Sequence, residues 1–230
     1  MQDRFAVIGM GQFGFRVAKQ LTSKGVEVLA IDKDIDRVEL IKDEVTYAVA
    51  LDSTDIKALG SQNLQDMDAV LVAIGENIEG LLLTTVLLLE LNVKRIVARA
   101  MTSQQRIILE KLGVQEILSP EDEVGVMVAE MLINPTMKAF FQLPDDFEIA
   151  EIQAPRKIIS KTFDEIDLKE NYGLQLVTIK RLYEEYEGER KVLVEHLVQK
   201  INRDTIIETS DMLVVLGKSF QVQKFIELNS

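Results

Sequence analysis

Three glycines near the start of the chain have the spacing of a turn that binds phosphate. In "FAVIGMGQFGFRVAKQL", Gly9, Gly11 and Gly14 match G-x-G-x-x-G. The first glycine of such a turn permits a tight bend, the second lets a pyrophosphate approach the backbone, and the third lets a helix pack closely on a strand. Phosphate then lies at the helix N-terminus, where the helix dipole favours negative charge. The spacing predicts a nucleotide site, with glycines that serve packing alone as the alternative.

An acidic residue follows at the distance typical of ribose recognition. Asp32 ends a β-branched run, and it comes roughly 20 residues after the glycine turn, as in dinucleotide-binding folds. Its carboxylate can accept hydrogen bonds from both ribose hydroxyls and would repel a 2′-phosphate. This favours ADP, ATP or NAD over NADP.

The groups that a dehydrogenase needs beside its cofactor are missing from the sequence. The chain has no cysteine and a single histidine. His196 stands in an alternating run, which predicts a paired or solvent-facing strand residue rather than a catalyst. Neither a Tyr-x-x-x-Lys pair nor a histidine cluster with metal-ligand spacing occurs. We therefore expect a protein that senses a nucleotide and is not an enzyme, with an NAD-dependent oxidoreductase as the alternative.

The elements that must position the glycine turn alternate over residues 1–120. Short β-branched runs separated by amphipathic segments predict a Rossmann-type, doubly wound parallel sheet, an α/β fold. The predicted strands are 4–8, 26–31, 46–51, 68–74, 95–100 and 115–118. A helix should begin at Gln12 and stop before Gly25.

A connecting helix and a smaller lobe are expected after residue 120. Apolar residues such as Val124, Val128 and Leu132 repeat with a helical period from about Glu121 towards Phe141, so we assign 121–143 to a helix that Pro135 should kink or end. Strand patterns at 147–152, 174–181, 191–198 and 211–217 predict a small α+β C-terminal lobe over 144–230. The mixed charges around Gly188 predict a solvated hairpin turn.

Composition limits the partners and the location. The chain of 230 residues carries a net charge of -12, which opposes binding to nucleic acid. The start MQDRFAV lacks the regions of a signal peptide, and the apolar stretch GLLLTTVLLLELNV is shorter than the roughly 20 residues that span a bilayer. We expect a cytoplasmic protein without direct membrane insertion.

Six segments carry a resemblance to a known family. They are VIGMGQFG from Val7, VLAIDKD from Val28, ALDSTD from Ala50, VLVAIGENIEG from Val70, VARA from Val97 and LGVQEILSPEDEVG from Leu112. In order and spacing they resemble the RCK domain, also called KTN, of the nucleotide-binding regulatory subunits of Ktr and Trk potassium-uptake systems. NYGLQLVTIKR and DTIIETSDMLVVLG resemble the smaller lobe of that domain, with Ser210-Asp211 where the family usually has Gly-Asp.

The resemblance implies roles for particular residues around an adenine nucleotide. It assigns the phosphate turn to Gly9, Met10, Gly11, Gln12, Phe13 and Gly14, the ribose to Asp32 with Lys33 beside it, the adenine to Asp52 and Ser53, the wall of the cleft to Ala73, Ile74, Gly75 and Glu76, and a position facing the phosphates to Arg99. Glu121 matches an acidic position that in some relatives helps to hold a divalent cation between two subunits. A helix N-terminal carboxylate favoured by the dipole is the alternative there.

Gln12 departs from the pattern of many Ktr relatives, which place an arginine within the glycine loop. A neutral amide cannot replace the charge-assisted bond of an arginine to a terminal phosphate. The departure leaves ADP, AMP and NAD as candidates beside ATP, and it predicts that ATP and ADP bind with similar affinity.

The family also implies a mechanism and partners. Nucleotide exchange would change the shape of a homo-oligomer, built from dimers into a tetramer or octameric ring, that acts on a separate potassium-translocating membrane subunit. The apolar helices around Leu81–Leu91 and Ile107–Leu109 are the predicted assembly surfaces. A free-standing nucleotide sensor with another partner is a further alternative, and a second effector such as a cyclic dinucleotide has no diagnostic residues in the C-terminal lobe.

Overall fold

The computed structural model of the chain describes residues 3–188 and 190–230. Met1 and Gln2 of the predicted chain start, and Glu189 of the predicted hairpin, lie outside these ranges. Contacts along the backbone divide the chain into two compact units, Met1–Glu123 and Val124–Ser230. Each unit has its own sheet and core.

The first unit alternates strands and helices. Its strands are β1 (Arg4–Ile8), β2 (Glu27–Asp32), β3 (Tyr47–Ala50), β4 (Ala69–Val72), β5 (Ile96–Arg99) and β6 (Glu116–Leu118). The helices between them are α1 (Gln12–Ser23), α2 (Ile35–Ile41), α3 (Ile56–Gly60), α4 (Ile78–Glu90) and α5 (Ser103–Lys111), with a 3-10 turn at Leu64–Asp66. The strands form a parallel sheet of order β3-β2-β1-β4-β5-β6, which confirms the Rossmann-type prediction.

Helices cover both faces of this sheet, so the interior of its central strands is apolar. Successive residues of β1 point to opposite faces: Ala6 and Ile8 pack in one buried cluster with α4, and Val7 packs in another with Ala18 of α1. Helix α1 begins at Gln12 as predicted. It ends before Gly25, whose φ of 81° lies in the left-handed region that favours glycine.

Helix α6 (Pro120–Ile133) is shorter than the sequence pattern suggested. The prediction that Pro135 kinks or ends the helix is confirmed, but the helical assignment of the remainder of 121–143 is wrong, because Met137–Gln142 forms strand β7 and pairs with the next strand. Proline lacks an N–H and disfavours helical geometry in the residue before it, which ends the helix ahead of Pro135. The segment 121–143 is therefore part helix and part sheet.

The second unit is built on an antiparallel sheet. Its further strands are β8 (Phe147–Gln153), β9 (Gln175–Glu187), β10 (Arg190–Leu197) and β11 (Met212–Lys218), in the order β10-β9-β11-β8-β7. Its helices are α7 (Phe163–Ile166), α8 (Leu168–Tyr172) and α9 (Ser219–Asn229), with a 3-10 turn at Arg156–Ile158. This agrees with the predicted α+β lobe.

The core of this unit lies between the sheet and α9. Phe225 of α9 is fully buried, and it meets the Tyr172 ring edge-on with centroids 4.9 Å apart. Gly188, with a φ of 66°, lies between the paired strands β9 and β10. On β10, His196 Nε2 lies 2.7 Å from Glu185 Oε1 on the exposed part of the sheet, as expected for a paired strand residue.

Across residues 3–188 and 190–230, none of the helices combines the length and the apolarity that a bilayer crossing requires.

Candidate functional site: a cavity at the carboxyl edge of the parallel sheet

A cavity of about 1080 Å³ opens in the first unit, where the carboxyl ends of the parallel strands meet. The strand order reverses between β1 and β4, and in open α/β sheets ligands bind at this switch point. The cavity is lined by Ile8, Gly9, Gly11, Gln12, Phe13, Arg16, Asp32, Lys33, Arg37, Asp52, Ser53, Thr54, Ala73, Ile74, Gly75, Glu76, Asn77, Glu79, Gly80, Leu83, Arg99, Met101 and Glu121. Its volume suits a nucleotide-sized ligand.

The glycine turn connects β1 to α1 at the edge of this cavity. Gly9 has a φ of 100°, and its N–H donates to the Ile31 carbonyl at 2.7 Å. A Cβ on Gly14 would lie 1.9 Å from the Gly9 carbonyl oxygen, so only glycine lets the helix start this close to the turn. Gly11 is the N-cap of α1 and supplies no side-chain cap. The first-turn amides of α1 therefore lack a side-chain acceptor and suit an anion.

Asp32 ends β2 directly beside this turn. Its side chain is 7% exposed, and both oxygens accept backbone N–H bonds, Oδ2 from Met10 at 2.6 Å and Oδ1 from Asp34 at 2.9 Å. These bonds fix the carboxylate at the cavity wall and leave lone pairs for a ligand hydroxyl. Lys33 lies beside it in the lining.

Asp52 and Ser53 follow β3 and form the next part of the wall. The Thr54 hydroxyl at 2.7 Å and the Thr54 backbone N–H at 2.9 Å donate to Asp52 Oδ1, and they lower the pKa of the Asp52 carboxyl. Ser53 shares a buried hydrogen bond of 2.7 Å with Thr84 of α4. This region thus presents an ionised carboxylate and a fixed hydroxyl.

The segment after β4 passes close to the glycine turn. A Cβ on Gly9 would meet the backbone of Ala73 and Ile74 at 3.1 Å. A Cβ on Gly75 would lie 2.7 Å from Met101 Sδ and 3.3 Å from a terminal guanidinium nitrogen of Arg99. A side chain at Gly75 would therefore require the ends of the Met101 and Arg99 side chains to shift.

Arg99 ends β5 and is the most enclosed cation of the lining. Its guanidinium lies over the Phe13 ring, 5.0 Å from the centroid, and forms an ion pair with Glu121. The hydrogen bond from Arg99 lowers the pKa of the Glu121 carboxyl. Arg99 Nε is buried and finds no acceptor within the described parts of the chain, so this donor remains open.

Glu121 therefore has a partner other than a metal ion. Over the residues that the structure describes, no group of three or more His, Cys, Asp or Glu side chains is arranged to hold a metal. The cation role of Glu121 stays a prediction, because the family arrangement on which it rests needs a second subunit.

The cavity brings together most of the residues that the sequence predicted for the nucleotide. Met10 and Gly14 are the exceptions: both are buried outside the lining, where Met10 contributes its N–H to Asp32 and Gly14 permits the close turn. The sequence reasoning missed Arg16, Arg37 and Thr54. Arg16 follows Gln12 by one helical turn, a spacing that would have placed both side chains on one face of the predicted helix.

Two comparisons of sequence bear on this site. The family model of the TrkA-N domain matches residues 5–120. The chain is 33% identical over 225 residues to the "Ktr system potassium uptake protein C" of Bacillus subtilis, covering 98% of this chain and 96% of that protein. It is 32% identical over 222 residues to the "Ktr system potassium uptake protein A" of the same organism, covering 96% and 95%.

Solved structures share the fold. The GsuK channel superposes with a TM-score of 0.67 at 14% identity over 100% of this chain, which spans 40% of the length of that channel. The NAD(P)-binding domain of an exopolyphosphatase-related protein from Archaeoglobus fulgidus superposes with a TM-score of 0.50 at 27% identity, covering 56% of this chain and 96% of that domain.

Proposed function

The chain belongs to the TrkA-N domain family, and from this we propose that it is a cytoplasmic, nucleotide-binding regulatory subunit of a potassium-uptake system. The observation that carries the proposal is similarity along nearly the whole chain to two proteins named for potassium uptake by the Ktr system. The chain itself has no helix suited to crossing a membrane within its described residues, so we assign potassium translocation to a separate membrane subunit. That subunit would hold the protein at the inner face of the membrane.

The proposed ligand is an adenine nucleotide: ADP, ATP, AMP or NAD. The open first-turn amides of α1 provide a phosphate site, and the Asp32 carboxylate lies where a ribose hydroxyl can donate to it. Asp52 and Ser53 are the proposed adenine contacts. The Archaeoglobus fulgidus domain with a similar fold is named an NAD(P)-binding domain, which supports a nucleotide as the ligand of this cavity.

We propose that the nucleotide is sensed rather than converted. No cysteine or histidine lines the cavity: the chain has no cysteine, and His196 belongs to the second unit. A ligand acts on a partner without chemistry if it binds two shapes of the protein with different affinity. Nucleotide exchange would then bias the shape of the assembled protein.

Binding at Asp32 is the direct test of the ligand. Isothermal titration with AMP, ADP, ATP and NAD should give saturable binding that Asp32→Ala weakens by roughly 10-fold, since charged hydrogen bonds to the ribose are lost. Asp36→Ala on α2 is the matched control, because it removes the same charge from an exposed position outside the cavity lining. Equal affinity in the Asp32→Ala protein would remove Asp32 from the site.

Apolar side chains on two helices support a homo-oligomer. On α4, Leu81 and Leu88 are buried, while Leu83 is 46% exposed; on α5, Ile107 is 52% exposed. We propose that these faces join copies of the chain into dimers and then into a tetramer or octameric ring. Light scattering with nucleotide present should show an even-numbered oligomer, and a monomer at micromolar concentration would contradict it.

The potassium role has its own test. Co-expression with a potassium-translocating membrane subunit of the Ktr or Trk type should give a complex that purifies together and whose potassium flux responds to nucleotide. Nucleotide binding without such a complex would favour a free-standing sensor. Steady hydride transfer from NADH to a small substrate would favour the oxidoreductase.

A further inference from the structure

The cations of the cavity differ in how far the protein already neutralises them. In the described lining, Arg99 pairs with Glu121, and Arg37 has one nitrogen 3.8 Å from Asp32 and another 3.6 Å from Asp34. These arginines therefore face acids that offset their charge.

Arg16 is different. It lines the cavity and is exposed, and it has neither an ion pair nor a side-chain hydrogen bond to any residue within 3–188 or 190–230. A cation that the fold leaves unpaired at the rim of a cavity is available to an anionic ligand.

The position of Arg16 on α1 directs it to the phosphate end of the cavity. Side chains in a helix lean towards its N-terminus, so the long Arg16 side chain covers the turn that begins at Gln12. Arg16 also follows Phe13 by three residues, which places the two on one helix face. Phe13 is stacked under Arg99, so the face of α1 that carries Phe13 and Arg16 is the face that meets Arg99, whereas Asp32 ends β2.

Asp32 and Arg16 lie on different elements around the cavity, so they can contact different parts of one bound nucleotide. If Asp32 holds the ribose, the first phosphate meets the glycine turn directly after it, and later phosphates extend towards Arg99 and Arg16. We propose that Arg16 binds the phosphates beyond the first and makes the site favour nucleoside di- and triphosphates over the monophosphate. This rests on the proposed nucleotide site. It also supplies, from one turn further along α1, a cation that Gln12 cannot provide.

The test compares ATP with AMP by isothermal titration at fixed magnesium. Arg16→Gln should weaken ATP binding roughly 10-fold or more, the size of a lost charge-assisted hydrogen bond, and leave AMP binding unchanged within about twofold. Arg16→Lys should keep part of the ATP affinity because it keeps the charge.

The control is Lys24→Gln. Lys24 is an exposed residue at the other end of α1, so this variant makes the same change in net charge away from the cavity. It should leave both ligands unaffected. An ATP loss as large in Lys24→Gln as in Arg16→Gln would indicate a general charge effect and overturn the proposal.

The outcomes separate this inference from the function on which it rests. If the unaltered protein binds neither AMP nor ATP, the nucleotide site itself is refuted. If it binds both, and Arg16→Gln weakens neither or weakens both equally, the nucleotide site stands and the role of Arg16 is refuted. Selective loss of ATP supports Arg16 as the contact to the outer phosphates.

Discussion

The cavity of the first unit and the antiparallel sheet of the second both place arginine near carboxylates, yet the arginines have different partners. In the second unit, Arg181 Nε donates to Asp211 Oδ1 at 2.6 Å and a terminal nitrogen donates to Asp211 Oδ2 at 2.8 Å. The same guanidinium also bonds to Glu208 and to the Ile206 carbonyl. In the first unit, Arg16 has no such partner among the described residues, and one donor of Arg99 is open.

Burial explains this difference. Asp211 is completely buried, and a buried charge is tolerated only when it is paired and hydrogen-bonded, so the second unit satisfies its arginine internally. The cavity rim is solvated, so a cation there can stay unpaired until a ligand arrives. In the second unit the Arg181–Asp211 pair is satisfied within the fold, whereas Arg16 and one donor of Arg99 in the first unit are unpaired among the described residues and are free to meet a ligand.

The largest effect is expected from Gly14→Ala, which disrupts the glycine turn at the edge of the cavity. Gly14→Ala would place a methyl group 1.9 Å from the Gly9 carbonyl oxygen, which is backbone and cannot move aside. We expect nucleotide binding to be lost and the free energy of unfolding to fall by about 5 kcal/mol, at the upper end for single substitutions. Urea denaturation measures the stability, and titration calorimetry measures the binding.

Gly125→Ala is the control for this prediction. Nothing lies within 4 Å of a Cβ at Gly125, which is in helix α6, so alanine should be neutral or stabilising by up to about 1 kcal/mol. A Gly14→Ala protein as stable as this control, with nucleotide binding intact, would show that the turn can open.

The second largest effect is expected from removing the buried Arg181–Asp211 ion pair of the second unit. Asp211→Ala leaves the Arg181 guanidinium without its main partner in a mostly buried position, so we expect a loss of about 3–4 kcal/mol in the free energy of unfolding. Glu184→Gln removes one partner of the exposed Glu184–Lys191 pair on the same sheet and should change little. Equal losses of stability in the two variants would contradict the distinction between buried and exposed ion pairs.

The third prediction concerns a variant in which the unpaired arginine is moved from position 16 to position 12 of α1. In an Arg16→Gln background, Gln12→Arg should restore the preference for ATP over AMP, because a guanidinium in the first turn again reaches the outer phosphates. We expect the preference for ATP over AMP to increase by roughly 1.5–3 kcal/mol of binding free energy, the range for hydrogen bonds to charged groups. Paired titrations of the single and double variants measure it. No recovery would mean that the outer phosphates do not pass this face of the helix.

The smallest effect concerns Glu148 of β8, a buried carboxyl in the second unit that lacks full internal pairing. It is 5% exposed; Oε2 accepts a bond of 2.7 Å from the Ser219 hydroxyl, and Oε1 has no partner in the described chain. Burial raises the pKa of Glu148. The folded state therefore holds this proton more tightly than the unfolded chain, and the free energy of unfolding falls as pH rises past the ordinary glutamate value through the raised one.

Glu148→Gln should remove this fall because glutamine does not ionise. The variant should be more stable than the unaltered protein by about 1 kcal/mol at pH 7, and the advantage should shrink towards pH 4. Urea denaturation over that pH range measures the difference. Glu227→Gln on α9, an exposed position, should show no such trend. A difference that grows as pH falls would contradict the sign.

Local chemistry explains why much of the fold could be predicted. The bounds of β1, the start of α1 at Gln12 and the positive φ of Gly25 and Gly188 follow from side-chain periodicity and turn residues that act over a few positions. The same reasoning correctly expected Pro135 to interrupt α6 but wrongly assigned the residues after it to a helix. The apolar residues of α6 continue past Pro135 into β7, and periodicity alone does not separate a short strand from a helix.

The sequence by itself determined the fold class, the glycine turn and the acidic residue at the end of β2, because these depend on spacing along the chain. Only the tertiary structure decided which charges are paired: Arg99 meets Glu121 of α6, and Arg181 meets Asp211 thirty residues away, because the start of β11 pairs with the middle of β9. It also decided that Arg16 stays open and Glu148 is buried. Charge partners and burial are long-range properties, and no local pattern in the residues carries them.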